Sequence, residues 1–156
     1  MPGQRGETPI KRTWPPYCPA MPEHHIEVVR KGIEAFNRGD WDATLELCAE
    51  DIVWIPLIQA VDGQRALIGR EMLRAAWVAQ RETLGGDAFG VEPKEIRDLG
   101  SGTVLAHMRV TGQGKTSGVP IDLDYVQLWT IREGFVVRVD KYGSVDEAMA
   151  DCGVSP

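Results

Sequence analysis

Apolar residues recur with a helical period in the first half of the chain and with a period of two in the second. From His24 onward, Ile26, Val29, Ile33 and Phe36 fall at i, i+3, i+7 and i+10, one stripe of an amphipathic helix. Asn37-Arg38-Gly39 supplies a basic last turn and a C′ glycine. Asp40 is a good N-cap for a second, shorter helix carrying Trp41, Leu45 and Cys48. The apolar run over 52–57, interrupted by Pro56, predicts a short edge strand, because proline has no N–H for a ladder. Residues 58–68 hold no clear period and read as a loop. Gly69 opens a third helix with Met72, Ala76 and Ala79 on one side, closed by Gly85-Gly86.

Past Gly86 the alternation predicts strands over 91–98, 103–111, 121–131 and 135–142. Short turns fall at Gly100-Ser101-Gly102 and Arg132-Glu133-Gly134, and a longer glycine-rich hairpin runs from Gly112 to Gly118. Ser144-Val145-Asp146-Glu147 is a capping box for a final helix ending near Gly153. Helices followed by an antiparallel meander define an α+β fold, with helices on one face of a curved sheet. Alternation groups Val104, Ala106, Met108 and Val110 with Ile121, Leu123, Tyr125, Gln127, Trp129 and Ile131, and with Phe135, Val137, Val139 and Lys141. This bulky set is expected on the concave, helix-covered side. His107, Arg109, Asp122, Asp124, Arg138 and Asp140 fall on the opposite face, as surface ion pairs across strands. The sharper alternative, a catalytic His-Asp or Arg-Asp group, requires two strands to reverse their faces together. If Val126 and Leu128 lie outside as well, that face also offers apolar area to a second copy.

The chain has 156 residues, 43% of them hydrophobic, enough for one domain with its own core. Six of its ten prolines lie within residues 1–22, which read as a disordered tail before a domain over 23–156. No apolar run reaches the length of a membrane span, and no signal-peptide core is present. A net charge of −6 removes the attraction to phosphate backbones, so neither membrane nor nucleic acid is an expected partner. Cys18, Cys48 and Cys152 form no pair and no metal spacing, which fits reduced thiols in a cytoplasmic protein. His24-His25 is not a metal pair, because adjacent helical residues diverge by about 100°. Gly112-Gln113-Gly114-Lys115-Thr116 lacks the order of a phosphate loop. No cofactor or metal is expected.

Several strings resemble the nuclear transport factor two-like superfamily, in particular its SnoaL-like branch and its ketosteroid isomerases. They are Ala35-Phe36-Asn37-Arg38-Gly39-Asp40-Trp41, Gly69-Arg70-Glu71-Met72, Ser117-Gly118-Val119-Pro120 and Leu128-Trp129-Thr130-Ile131-Arg132-Glu133-Gly134. The resemblance spans roughly residues 24–152. It implies a cone, or cystatin-like fold: a curved antiparallel sheet covered by three N-terminal helices, with a short C-terminal helix, enclosing an apolar pocket and commonly dimeric. It does not imply an activity, because the superfamily hosts isomerases, cyclases, epoxide hydrolases and adaptors. In ketosteroid isomerases a Tyr and a protonated Asp form the oxyanion hole and a second Asp is the base. Here the aligned positions hold Gly32, Gln127 and Pro56, so that mechanism is not expected.

Gln127 can donate a hydrogen bond to a ligand oxygen between Tyr125 and Trp129, or be a core amide satisfied by its neighbours. Lys141 can contact an acidic ligand, or snorkel to solvent from its strand end. Trp54 and Met108 complete the expected ligand-binding set of Trp54, Met108, Tyr125, Gln127, Trp129 and Lys141, whereas Trp77 and Met72 read as core. Three functions stay open. The first is binding of a small, largely apolar molecule without chemistry, in a homodimer joined through the convex side. The second is a SnoaL-like isomerase, cyclase or hydrolase acting on a polyketide- or steroid-like ketone or epoxide. Its base would be Lys141 or Tyr125, each with an ordinary pKa near 10. The third is a dimeric scaffold whose own side chains fill the pocket.

Overall fold

The stripe led by Ile26 becomes helix α1, Pro22–Arg38, with Val29 and Ile33 buried beside Val28. The computed structural model describes residues 22–55 and 66–152, so the Pro-rich segment with Cys18 and the position of Pro56 lie outside the described residues. Asp40 caps α2 (Trp41–Glu46), its carboxylate accepting from the Ala43 N–H at 3.1 Å. The helix is shorter than expected. Leu47 already gives its carbonyl to the Val136 N–H at 2.8 Å, so Cys48 is the first residue of strand β1 (Cys48–Ile55) and not part of a helix.

A second correction concerns β1, which is not an edge. The two-residue strand β2 (Leu67–Ile68) covers one side of it, and β6 (Phe135–Tyr142) pairs in parallel on the other. The sheet order is β2-β1-β6-β5-β4-β3, completed by β3 (Gly90–Gly100), β4 (Thr103–Gln113) and β5 (Pro120–Arg132). Two tight turns join β3 to β4 and β5 to β6. Ser101 and Gly102, and then Glu133 and Gly134, take positive φ at both central positions, the geometry that matches strand twist.

Helix α3 (Arg70–Thr83) buries Leu73 and Trp77, not the Met72 stripe, and Met72 is 44% exposed. Arg70 explains the rotation: its Nε and Nη2 donate to the Cys48 carbonyl at 3.1 and 2.6 Å, docking the first turn on β1. The i, i+4 pair Leu73 and Trp77 then faces the core. At the other end of α3, Gly112 lets β4 pass close beneath it. A Cβ there would stand 2.6 Å from the Leu84 carbonyl oxygen.

Alternation fails on β6. Pairing shifts between Thr130 and Ile131, so that Ile131 lies opposite Val136 while Thr130 lies opposite Arg138. Val137 is the extra residue of a bulge. Val136 and Val139 are therefore fully buried on the concave side, and Phe135, expected there, is 46% exposed. The convex side carries its own smaller core. Leu105, Val126 and Leu128 pack under Ala148 and Met149 of helix α4 (Val145–Asp151), capped by the Ser144 hydroxyl. The apolar area around Val126 and Leu128 is thus covered within the chain. Arg109–Asp122, Lys94–Asp124 and Arg138–Asp140 ion pairs occupy convex positions, with His107 3.5 Å from Asp124.

Candidate functional site

Helices α1–α3 and the concave side of the sheet leave a cavity of about 480 Å³ between them. The aromatic residues of the helices meet edge to face and form its upper wall. Phe36 stands 5.5 Å from Trp77 and 5.9 Å from Phe89 between ring centres, and Trp77 stands 5.4 Å from Trp54. Asn37 fixes this wall to the sheet, donating to the Val91 carbonyl at 2.8 Å and accepting from the Val91 N–H at 2.9 Å. All six residues expected to contact a ligand, Trp54, Met108, Tyr125, Gln127, Trp129 and Lys141, line the cavity. Gly32, Thr44, Cys48, Gln80 and Val136 line it too. Gly32 had been marked only as an aligned position. Val136 escaped because a bulge leaves no trace in a period-two pattern.

Gly32 has a steric role. A Cβ at this position would stand 3.2 Å from Trp129 Cη2, so the indole fills the space that a larger side chain on α1 would need. Trp129 in turn sets Gln127. Its indole nitrogen donates to Gln127 Oε1 at 2.9 Å in the buried interior. An indole is a donor only, so the amide oxygen must face it and the amide NH2 is left for the cavity. The Gln127 oxygen is thus satisfied inside the core, while the residue lines the cavity.

Lys141 does not snorkel. Its Nζ lies 4.6 Å from the ring centre of Trp54 and 5.7 Å from that of Tyr125. Desolvation lowers its pKa to about 8. The same burial pushes the Tyr125 phenol well above its usual range and the Cys48 thiol up to about 12, although Arg70 pulls the thiol slightly back. The His107 and Arg109 side chains are outside the cavity lining. Arg109 grips Asp122 with two bonds of 2.8 and 2.7 Å. His25 stands 3.0 Å from Asp98 and ties α1 to β3.

A helix-roofed, open curved sheet with an apolar interior defines the cystatin-like, nuclear transport factor two-like class of folds. The sequence profile of the SnoaL-like domain matches residues 29–139, and the chain belongs to that family. A comparison with curated proteins found no match. Among solved structures, a protein from a soil-derived mobile gene cassette is 25% identical, with a TM-score of 0.68, over 77% of this chain and 88% of its own. A ketosteroid isomerase-like protein from Catenulispora acidiphila, solved with trimethylamine, is 17% identical over 83% and 94% of the two chains, with a TM-score of 0.64. An epoxide hydrolase/cyclase-like enzyme of pyran-ring formation in polyether salinomycin is 16% identical over 80% and 93%, with a TM-score of 0.66.

Proposed function

We propose that this domain binds a small, largely apolar molecule in the concave cavity, with Gln127 as its polar anchor. The observation that carries the reading is the amide NH2 of Gln127, fixed by Trp129 and aimed into a space walled by Trp54, Phe36, Trp77 and Met108. The unfilled 480 Å³ weighs against a scaffold packed by its own side chains. Native mass spectrometry of freshly purified protein, with extraction of whatever is bound, tests this directly. A compound so recovered, added at about 100 times its Kd, stabilises by roughly 2.7 kcal/mol and raises the melting temperature. In Gln127→Leu the affinity falls about tenfold, the share of one hydrogen bond to a buried acceptor. Unchanged retention in that variant removes Gln127 as the anchor.

One observation favours a second reading, turnover of a ketone or epoxide. Burial brings the Lys141 pKa down to about 8, so a fraction of the amine is free to take a proton near neutral pH. A rate that survives both Lys141→Met and Tyr125→Phe with its pH profile intact eliminates it.

A further inference from the structure

We propose that the cavity selects apolar ligands bearing a carboxylate, whose oxygens bridge Lys141 Nζ and the Gln127 amide nitrogen. The proposal rests on the binding reading above and adds the charge of the ligand.

Gln127 and Lys141 are direct cross-strand partners on β5 and β6, and both point into the cavity. Such partners have Cβ atoms about 5 Å apart, so one small headgroup reaches both side chains. Both offer donors to the cavity: the Gln127 oxygen is turned toward Trp129, which leaves its NH2, and an ammonium has donors only. A ligand bridging the two is best served by acceptor oxygens.

Charge narrows the choice further. Among the described residues no Asp or Glu lines the cavity, and no carboxylate lies within ion-pair distance of Lys141. The other titratable groups on its wall are Cys48 of β1 and Tyr125 of β5, and burial keeps both protonated and neutral. Neither can act as counter-ion. The faces of Trp54 and Tyr125 stabilise the ammonium only in part, and an enclosed charge without a partner is costly. A carboxylate entering beside Trp54 supplies the missing partner, while the rest of the ligand covers Met108, Phe36 and Trp77.

Calorimetric titration at pH 7 with naphthalene-2-carboxylate and its neutral isostere naphthalene-2-carboxamide tests the proposal. The wild-type protein is expected to prefer the carboxylate by at least tenfold. Lys141→Met loses this preference. Gln127→Glu keeps the acceptor for Trp129, places a carboxylate next to Lys141 and also loses the preference, so the test does not depend on one variant. Equal affinities in the wild type, or a preference that survives Lys141→Met, overturn the charge selection and leave the cavity reading intact. Binding of neither compound overturns both.

Discussion

Lys141 and Tyr125 share one apolar space, and their proton affinities move apart because burial penalises whichever form carries charge. The lysine also has a stability consequence. Its folded pKa of about 8 lies below the unfolded 10.5, so the unfolded chain binds the proton more tightly. The folded state is therefore penalised in full below pH 8, and the penalty is relieved as pH rises from 8 toward 10.5. Lys141→Met should stabilise the unliganded protein at pH 7 by the order of 1–3 kcal/mol and flatten the pH dependence across that window. Urea melts at pH 7 and pH 10 check both statements. The sequence placed Lys141 on the correct side of its strand by alternation alone. Its enclosure was not legible, because Trp54 arrives from a strand nearly ninety positions earlier. The orientation of Gln127 depends on Trp129 only two positions away, yet it follows from the bond and not from the spacing.

At the scale of elements, periodicity located the helices and strands, and tertiary docking decided which faces they bury. Helix α3 shows this. The Met72 and Leu73–Trp77 stripes lie side by side, and the Arg70 contact with the Cys48 carbonyl selects the second. The contact between His25 and Asp98 joins residues 73 positions apart and leaves no local signal. Asp98→Ala strands a buried imidazole and should cost about 1–3 kcal/mol, with faster amide exchange in the first turns of α1. Helix α4 closes the convex core through Met149, which is 3% exposed, and the Tyr142 hydroxyl donates to Asp151 at the helix end. Met149→Ala should cost about 2–4 kcal/mol in a chemical denaturation series, since Leu105, Val126 and Leu128 lose their cover.

For the whole molecule, the sheet separates two environments. The cavity on the concave side is rich in aromatic residues and, among the described residues that line it, holds one cation, while charged pairs border a small capped core on the convex side. Which side would hold the cavity was readable from alternation, and the one misassigned strand end traces to Val137. That extra residue has a wider meaning. Val136 and Lys141 stand five positions apart and still face the same way, an odd interval that no regular strand permits. The bulge therefore keeps the cation on the inner face despite the extra residue before it. Point substitutions along β6 can retune the chemistry of the interior while its phase is kept. Deleting one residue between Val136 and Val139 would instead leave Val136 and Lys141 an even interval apart, which a regular strand carries on one face, so the bulge would vanish and the cation would stay inside. Related chains one residue shorter at this point would then offer a ligand the same charge from an unbulged strand.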